Sequence, residues 1–92
     1  MTFNDLLLIA NANMCSISVH GSVGPTTDQM TYSVAITWCR SIGEVKAGGL
    51  LISECGYGHS LDEAARDYYQ KIRGKTLVFH AYDNLRNEIV IQ

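Results

Sequence analysis

Charge is what this chain has least of. Asp, Glu, Lys and Arg make up 17% of its 92 residues, below the usual quarter, and from Met1 to Cys39 only Asp5 and Asp28 carry charged side chains. The net charge of −2 argues against a protein that grips nucleic acid by its phosphates, because that takes a basic face. It is also too mild for a polyanionic mimic of DNA. Long hydrophobic runs are missing as well: Leu6 to Ala10 is the longest, far short of a membrane span. No signal-peptide pattern is present, and three cysteines (Cys15, Cys39 and Cys55) suit reduced thiols better than a disulfide framework. The expectation is a cytoplasmic protein that uses no membrane. Repeats, low-complexity tracts and linkers are absent too, so residues 1–92 read as a single domain.

Ligand pairs for a metal are also lacking. Zinc sites draw ligands in close pairs, since two from one turn pre-organise half the tetrahedron. Cys55 and His59 are four apart, and no second pair answers them. The same two residues could be drawn as a nucleophile and its base, with Asp62 or Glu63 orienting the imidazole. But Cys55 sits in an apolar strand pattern, and both acids are already suited to the start of a helix. Gly56-Tyr57-Gly58 before a helix invites a phosphate-loop reading. Leu61 occupies the third glycine's place, and Asp62 and Glu63 would repel an anion, so the glycines read as permitting a tight turn. We therefore expect no catalytic residue, no metal and no cofactor.

What the chain does have is apolar content, 47%, enough for a real core. Thr2-Phe3-Asn4-Asp5 has the form of a capping box ahead of an apolar stripe of Phe3, Leu6, Leu7 and Ala10, which predicts a helix over Phe3–Ala12. A strand through Leu6–Ile9 is the alternative. Cys15, Ile17 and Val19 alternate with Ser16, Ser18 and His20 in a half-buried strand that Gly21 would end. Gly21–Asp28, with Gly24-Pro25, reads as a loop. Tyr32, Val34, Ile36 and Trp38 then mark one face of the clearest strand, and Thr31, Ser33, Ala35 and Thr37 the other.

Arg40 to Gly49 reads as a polar connection, and Leu50–Cys55 as a third strand. Ser60 and Glu63 form a second capping box. Leu61, Ala64, Ala65, Tyr68 and Ile72 line one helical stripe, and Gly74 stands where a left-handed cap belongs. Lys75–Tyr82 is a further strand, Asp83-Asn84 a turn, and Glu88–Ile91 a last short one. The order α-β-β-β-α-β(-β) predicts an α+β two-layer sandwich: an antiparallel meander with the second helix packed across one face.

Tyr32, Trp38, Tyr57, Tyr68, Tyr69 and Tyr82 are more aromatics than a core of this size needs. Tyrosine and tryptophan dominate protein–protein hot spots, whereas stacking on single-stranded nucleic acid would want a basic groove beside them. Arg66, Lys71, Arg73 and Lys75 do gather late, but Asp62–Arg66 and Asp67–Lys71 are helical i,i+4 pairs that solvate an outer face. The candidates for a partner contact are accordingly Tyr57, Tyr69 and Tyr82, with Glu54, Asp67 and Arg66 beside them. A protein is the expected partner, and a homodimer is another way to cover so apolar a chain.

The segment from Tyr32 to about Ala81, with Ser60-Leu61-Asp62-Glu63-Ala64 at its helix start, resembles the HicB-like antitoxin domain. That likeness implies a module that caps a small RNase toxin. Gly56-Tyr57-Gly58 through Arg73-Gly74-Lys75-Thr76-Leu77-Val78-Phe79-His80-Ala81-Tyr82, with Asn87-Glu88-Ile89 after it, resembles small proteins encoded by phages and prophages of low-GC Gram-positive bacteria. Anti-CRISPR proteins are among these, and the opening Met1-Thr2-Phe3-Asn4-Asp5-Leu6 is similar in layout to one class of type II inhibitors. This second likeness implies a non-enzymatic protein in the host bacterial cytoplasm. Such a protein inhibits a defence nuclease, or its nucleoprotein complex, by stoichiometric occlusion. A nucleic-acid-binding phage regulator is the remaining reading.

Overall fold

A computed structural model of the chain describes residues 1–23, 29–38, 41–42, 44–82 and 84–92. The expected loop at Gly24-Pro25, the thiol of Cys39 and the turn residue Asp83 lie outside the described residues, as does the side chain of Trp38.

The first helix, α1, spans Phe3–Ala12 as its stripe predicts. Thr2 and Asp5 close a full capping box: the Asp5 amide donates to Thr2 Oγ1 over 3.1 Å, and the Thr2 amide to Asp5 Oδ2 over 3.0 Å. At the other end the Cys15 amide reaches back to the Ala10 carbonyl and the Met14 amide to that of Asn11. This is the double bond of a Schellman turn, with Met14 rather than glycine at the left-handed position, φ 57°.

Strands β1 (Ser16–Val23) and β2 (Met30–Trp38) pair antiparallel over the whole of β1, from Ser16 opposite Thr37 to Val23 opposite Met30. Gly21 therefore does not end β1. It lies opposite Tyr32, whose ring would sit 3.5 Å from a Cβ placed there.

Beyond β2 the chain departs from the simple meander. Short strand β3 (Ser41–Ile42) pairs with Thr37 and Trp38, then β4 (Glu44–Ala47) passes into a second sheet. It turns at Gly48-Gly49 and returns as β5 (Leu50–Ser53), and β6 (Gly56–Gly58) rejoins the first sheet against Tyr32–Val34. The expected polar connection over 40–49 is thus partly strand. Glu44 and Lys46 hid the alternation, since a charged residue stands on each side of buried Val45: Lys46 is exposed and pairs with Glu88, and Glu44 is half-buried.

After α2 (Leu61–Ile72), β7 (Thr76–Phe79) and β8 (Asn87–Val90) complete the second sheet in the order β5-β4-β7-β8. The class is α+β, with two antiparallel sheets where the sequence suggested one. Among the described residues, no helix is long and apolar enough to cross a membrane.

The core runs between the helices and both sheets: Leu6 and Ala10 from α1, Val34 and Ile36 from β2, Ala64, Tyr68 and Ile72 from α2, and Val45, Leu77 and Phe79 from the second sheet. Cross-ties hold the ends of the chain to it. The Phe3 amide donates to Asp62 Oδ1 over 2.9 Å, and Asn87 Nδ2 to Asn13 Oδ1 over 2.7 Å. Buried His80 sends Nε2 3.0 Å to the Met14 carbonyl, so Nε2 carries the proton.

Candidate protein-interaction surface

The junction at Gly56-Tyr57-Gly58 is a strand pressed against a helix, not a tight turn. A Cβ on Gly56 would collide with the Ala64 carbonyl and the Tyr68 amide, and one on Gly58 would come within 2.6 Å of the Ala64 amide. Both glycines exist to let α2 lie directly on the β6 backbone. Ser60 caps that helix, its Oγ accepting the Glu63 amide over 3.1 Å. Gly74, φ 75°, ends it and donates to the Ile91 carbonyl over 2.7 Å.

Because Gly56 and Gly58 face α2, strand alternation assigns both faces of the first sheet. Ile17, Val19, Gly21 and Val23 of β1 share the helix side with Met30, Tyr32, Val34 and Ile36. The other side carries Ser16, Ser18, His20 and Ser22 from β1, Thr31, Ser33, Ala35 and Thr37 from β2, and Tyr57 from β6. Not one of these residues is an acid, a lysine or an arginine. The β1 members are all exposed and Tyr57 is 55% exposed, while of the β2 members Thr31, Ser33 and Thr37 are half-buried and Ala35 is buried. Register sets His20 opposite Ser33 and Ser33 opposite Tyr57, in one row across the sheet.

The two edges of this sheet differ. Beyond Tyr57 the edge is closed by α2. The Tyr57 amide donates to Asp67 Oδ2 over 2.8 Å, Lys71 Nζ donates to the Cys55 carbonyl over 2.8 Å, and Asp67 and Lys71 pair at 3.0 Å. Lys71 also lies 4.8 Å from the centre of the Tyr57 ring, a cation–π distance. The Tyr57 amide, and after it Lys71, hold the Asp67 carboxyl below the ordinary carboxylate range. These two side chains do for β6 what a further strand would do, so the pair is more than a solvated i,i+4 couple.

Beyond β1, by contrast, no strand pairs among the described residues. The Tyr57 and Ile36 amides both turn away from β1, to Asp67 and to the Tyr68 hydroxyl. Alternation along the ladder then points Ser16, Ser18, His20 and Ser22 at β2. Ile17, Val19, Gly21 and Val23 turn their N–H and C=O groups outward. On the helix side, Val19 (46%), Val23 (54%) and Met30 (40%) stay exposed, so the apolar stripe continues past its helical cover.

The six candidates from the sequence fall in three places. Tyr57 and Asp67 are bonded directly at the closed edge; Glu54, half-buried, precedes that strand, and Arg66 is exposed on α2. Tyr69 is half-buried and spends its hydroxyl on the Gln92 carbonyl. Tyr82, 75% exposed, stands beyond β7. Outside these six stand His20, read from the sequence only as part of a polar strand face, and Lys71, read only as the partner of Asp67; the outward backbone of β1 was missed. The serine alternation was visible, but nothing in it told an edge strand from a central one.

Other arrangements offer less. His59 turns Nδ1 to the Met30 carbonyl at 3.2 Å, which engages it with β2. Among the described residues no group of three His, Cys, Asp or Glu could hold a metal. A depression of about 420 Å³ at the β4–β5 tip is lined by Lys46, Arg86, Leu50, Leu51 and the two glycines. Both of its cations are drawn to Glu88, at 2.6 and 3.1 Å. Comparison of the chain with protein families, curated proteins and solved structures finds no match.

Proposed function

We propose that this chain is a non-enzymatic binding protein that inhibits a bacterial defence nuclease by covering part of its surface, with a type II CRISPR effector as the first target. The nuclease comes from the resemblance to phage-encoded inhibitors. The binding role is supported by one observation above the rest: an uncharged, hydroxyl-rich sheet face flanked by the exposed ring of Tyr57. Tyrosine set among serines is the composition protein-binding surfaces favour, because the ring adds rigid area at small entropic cost and the hydroxyls adapt their hydrogen bonds. A face without charge also carries no desolvation penalty for unpaired ions when it is covered.

The test is a titration of the purified chain into a type II effector with its guide and target DNA. Cleavage should stop at a fixed molar ratio, with no change in the inhibitor or the nuclease. Ser33→Lys, which puts a charge at the middle of the face, should abolish inhibition while leaving the fold intact by circular dichroism. Undiminished cleavage across phage-restricting nucleases of the host would reject the reading.

A further inference from the structure

We infer that two copies of this chain pair antiparallel along β1 around a two-fold axis at His20, so that the uncharged face becomes one continuous surface across a dimer. The occupant of the open edge follows from the strand itself. Edge strands are normally guarded by charge, proline or a bulge. The eight residues of β1, Ser-Ile-Ser-Val-His-Gly-Ser-Val, contain no acid, lysine, arginine or proline, and their pairing with β2 runs without interruption. Tyr57 marks the opposite edge, which Asp67 and Lys71 have already closed.

Symmetry then selects the register. Ile17, Val19, Gly21 and Val23 point their backbone groups outward. An antiparallel partner must set outward residues against outward residues. A two-fold through His20 does so for all of them, placing Ile17 opposite Val23 of the second copy and Val19 opposite Gly21. On the helix side this brings β-branched Ile17 and Val23 together, with Val19 against Gly21, and narrows the exposure of the apolar stripe. On the other side it sets His20 against its own mate, with Cβ atoms about 5 Å apart. The flanking rows of Ser33 and Tyr57 extend outward in both directions. β1 holds no acid, lysine or arginine that would meet its own symmetry mate.

The experiment uses the full chain. Sedimentation velocity should show a concentration-dependent dimer; a monomer throughout, at concentrations up to about 100 times the affinity expected of a modest interface, overturns the inference. His20→Glu and His20→Lys should each raise the dissociation constant about tenfold or more, because like charges then face each other at the axis. Both variants should keep the wild-type circular dichroism spectrum, since His20 is exposed. Mixed together they should form a heterodimer at least as tight as the wild type. If the mixture gains nothing over either variant alone, the axis does not lie at His20 and the pairing is overturned. A monomer that still blocks a nuclease removes the dimer and leaves the occlusion proposal standing. A dimer that blocks none supports the pairing alone.

Discussion

The Tyr68 hydroxyl accepts the Ile36 amide over 3.4 Å in the fork where β3 and β6 part from β2. Thr37 and Trp38 pair with β3 and Tyr32 to Val34 with β6, so on the side away from β1 no strand residue among the described ones pairs with Ile36. A helix side chain fills the vacancy in the ladder. The phenol is fully buried, and burial pushes its pKa up to about 12.

Tyr68→Phe keeps the ring but strands a buried amide, which costs about 1–3 kcal/mol. The ionisation has its own signature. A folded pKa raised above the usual value of about 10 gives stability that is whole below that pH. It is lost as the pH climbs through about 12. Urea midpoints followed into that alkaline window should fall for the wild type, and fall less for Tyr68→Phe.

Asp67 works in the opposite direction. Its carboxyl is held low, chiefly by the Tyr57 amide, so the contribution is present above the ordinary carboxylate value of about 3.9. It disappears as the pH falls below that value and through the lower folded one. Asp5 and Glu88 are depressed as well, so stability should decline on the acid side. In Asp67→Asn the decline should be shallower, because one of these groups no longer titrates; chemical denaturation between about pH 5 and 2 measures it.

Gly56→Ala and Gly58→Ala should each destabilise by about 2–4 kcal/mol, since the new methyl meets backbone on a helix that cannot step back without opening the core. Gly49→Ala is the control. Nothing lies within 4 Å of a Cβ there and its φ is not positive, so it should stay within about 0.5 kcal/mol of the wild type. Thermal melts of the three variants decide the matter.

Met14→Gly should stabilise. The methionine is 63% exposed and holds a left-handed backbone that costs an L-residue about 1 kcal/mol. For a chain of this length, a gain of that size raises the melting temperature by about 4–8 °C. Met14→Ala, which keeps the strain, should give no such rise.

Much of this architecture was legible in the residues. Thr2 and Asp5 announced α1 because a cap and a stripe depend on neighbours only, and Ser60 and Gly74 bounded α2 for the same reason. The α+β class followed. What escaped was long-range pairing: Val45 between two charges looks like loop until β7 arrives to cover it, and Gly21 looks like a terminator until Tyr32 lies across it. The glycines of β6 drew attention correctly but for another reason, since their purpose is visible only with α2 in place. Tyr69 looked available until the Gln92 carbonyl took its hydroxyl. Asp67 and Lys71 were recognised as a pair, yet the backbone they serve comes from a different element.

The path of the chain out of the first sheet through β4 and β5, and back into it at β6, has a kinetic consequence. Strand β4 can close a hairpin on β5 at once, but its other neighbour, β7, becomes available only after the whole of α2 has been laid down. The last strand, in turn, ties back to the end of α1 through Asn87 and Asn13. Contacts so distant along the chain cost loop entropy before they return any stability. Folding should therefore be slow for a chain of this length, and because Val45, Leu77 and Phe79 of the second sheet share one core with the first sheet and both helices, the two sheets should form and melt as one transition.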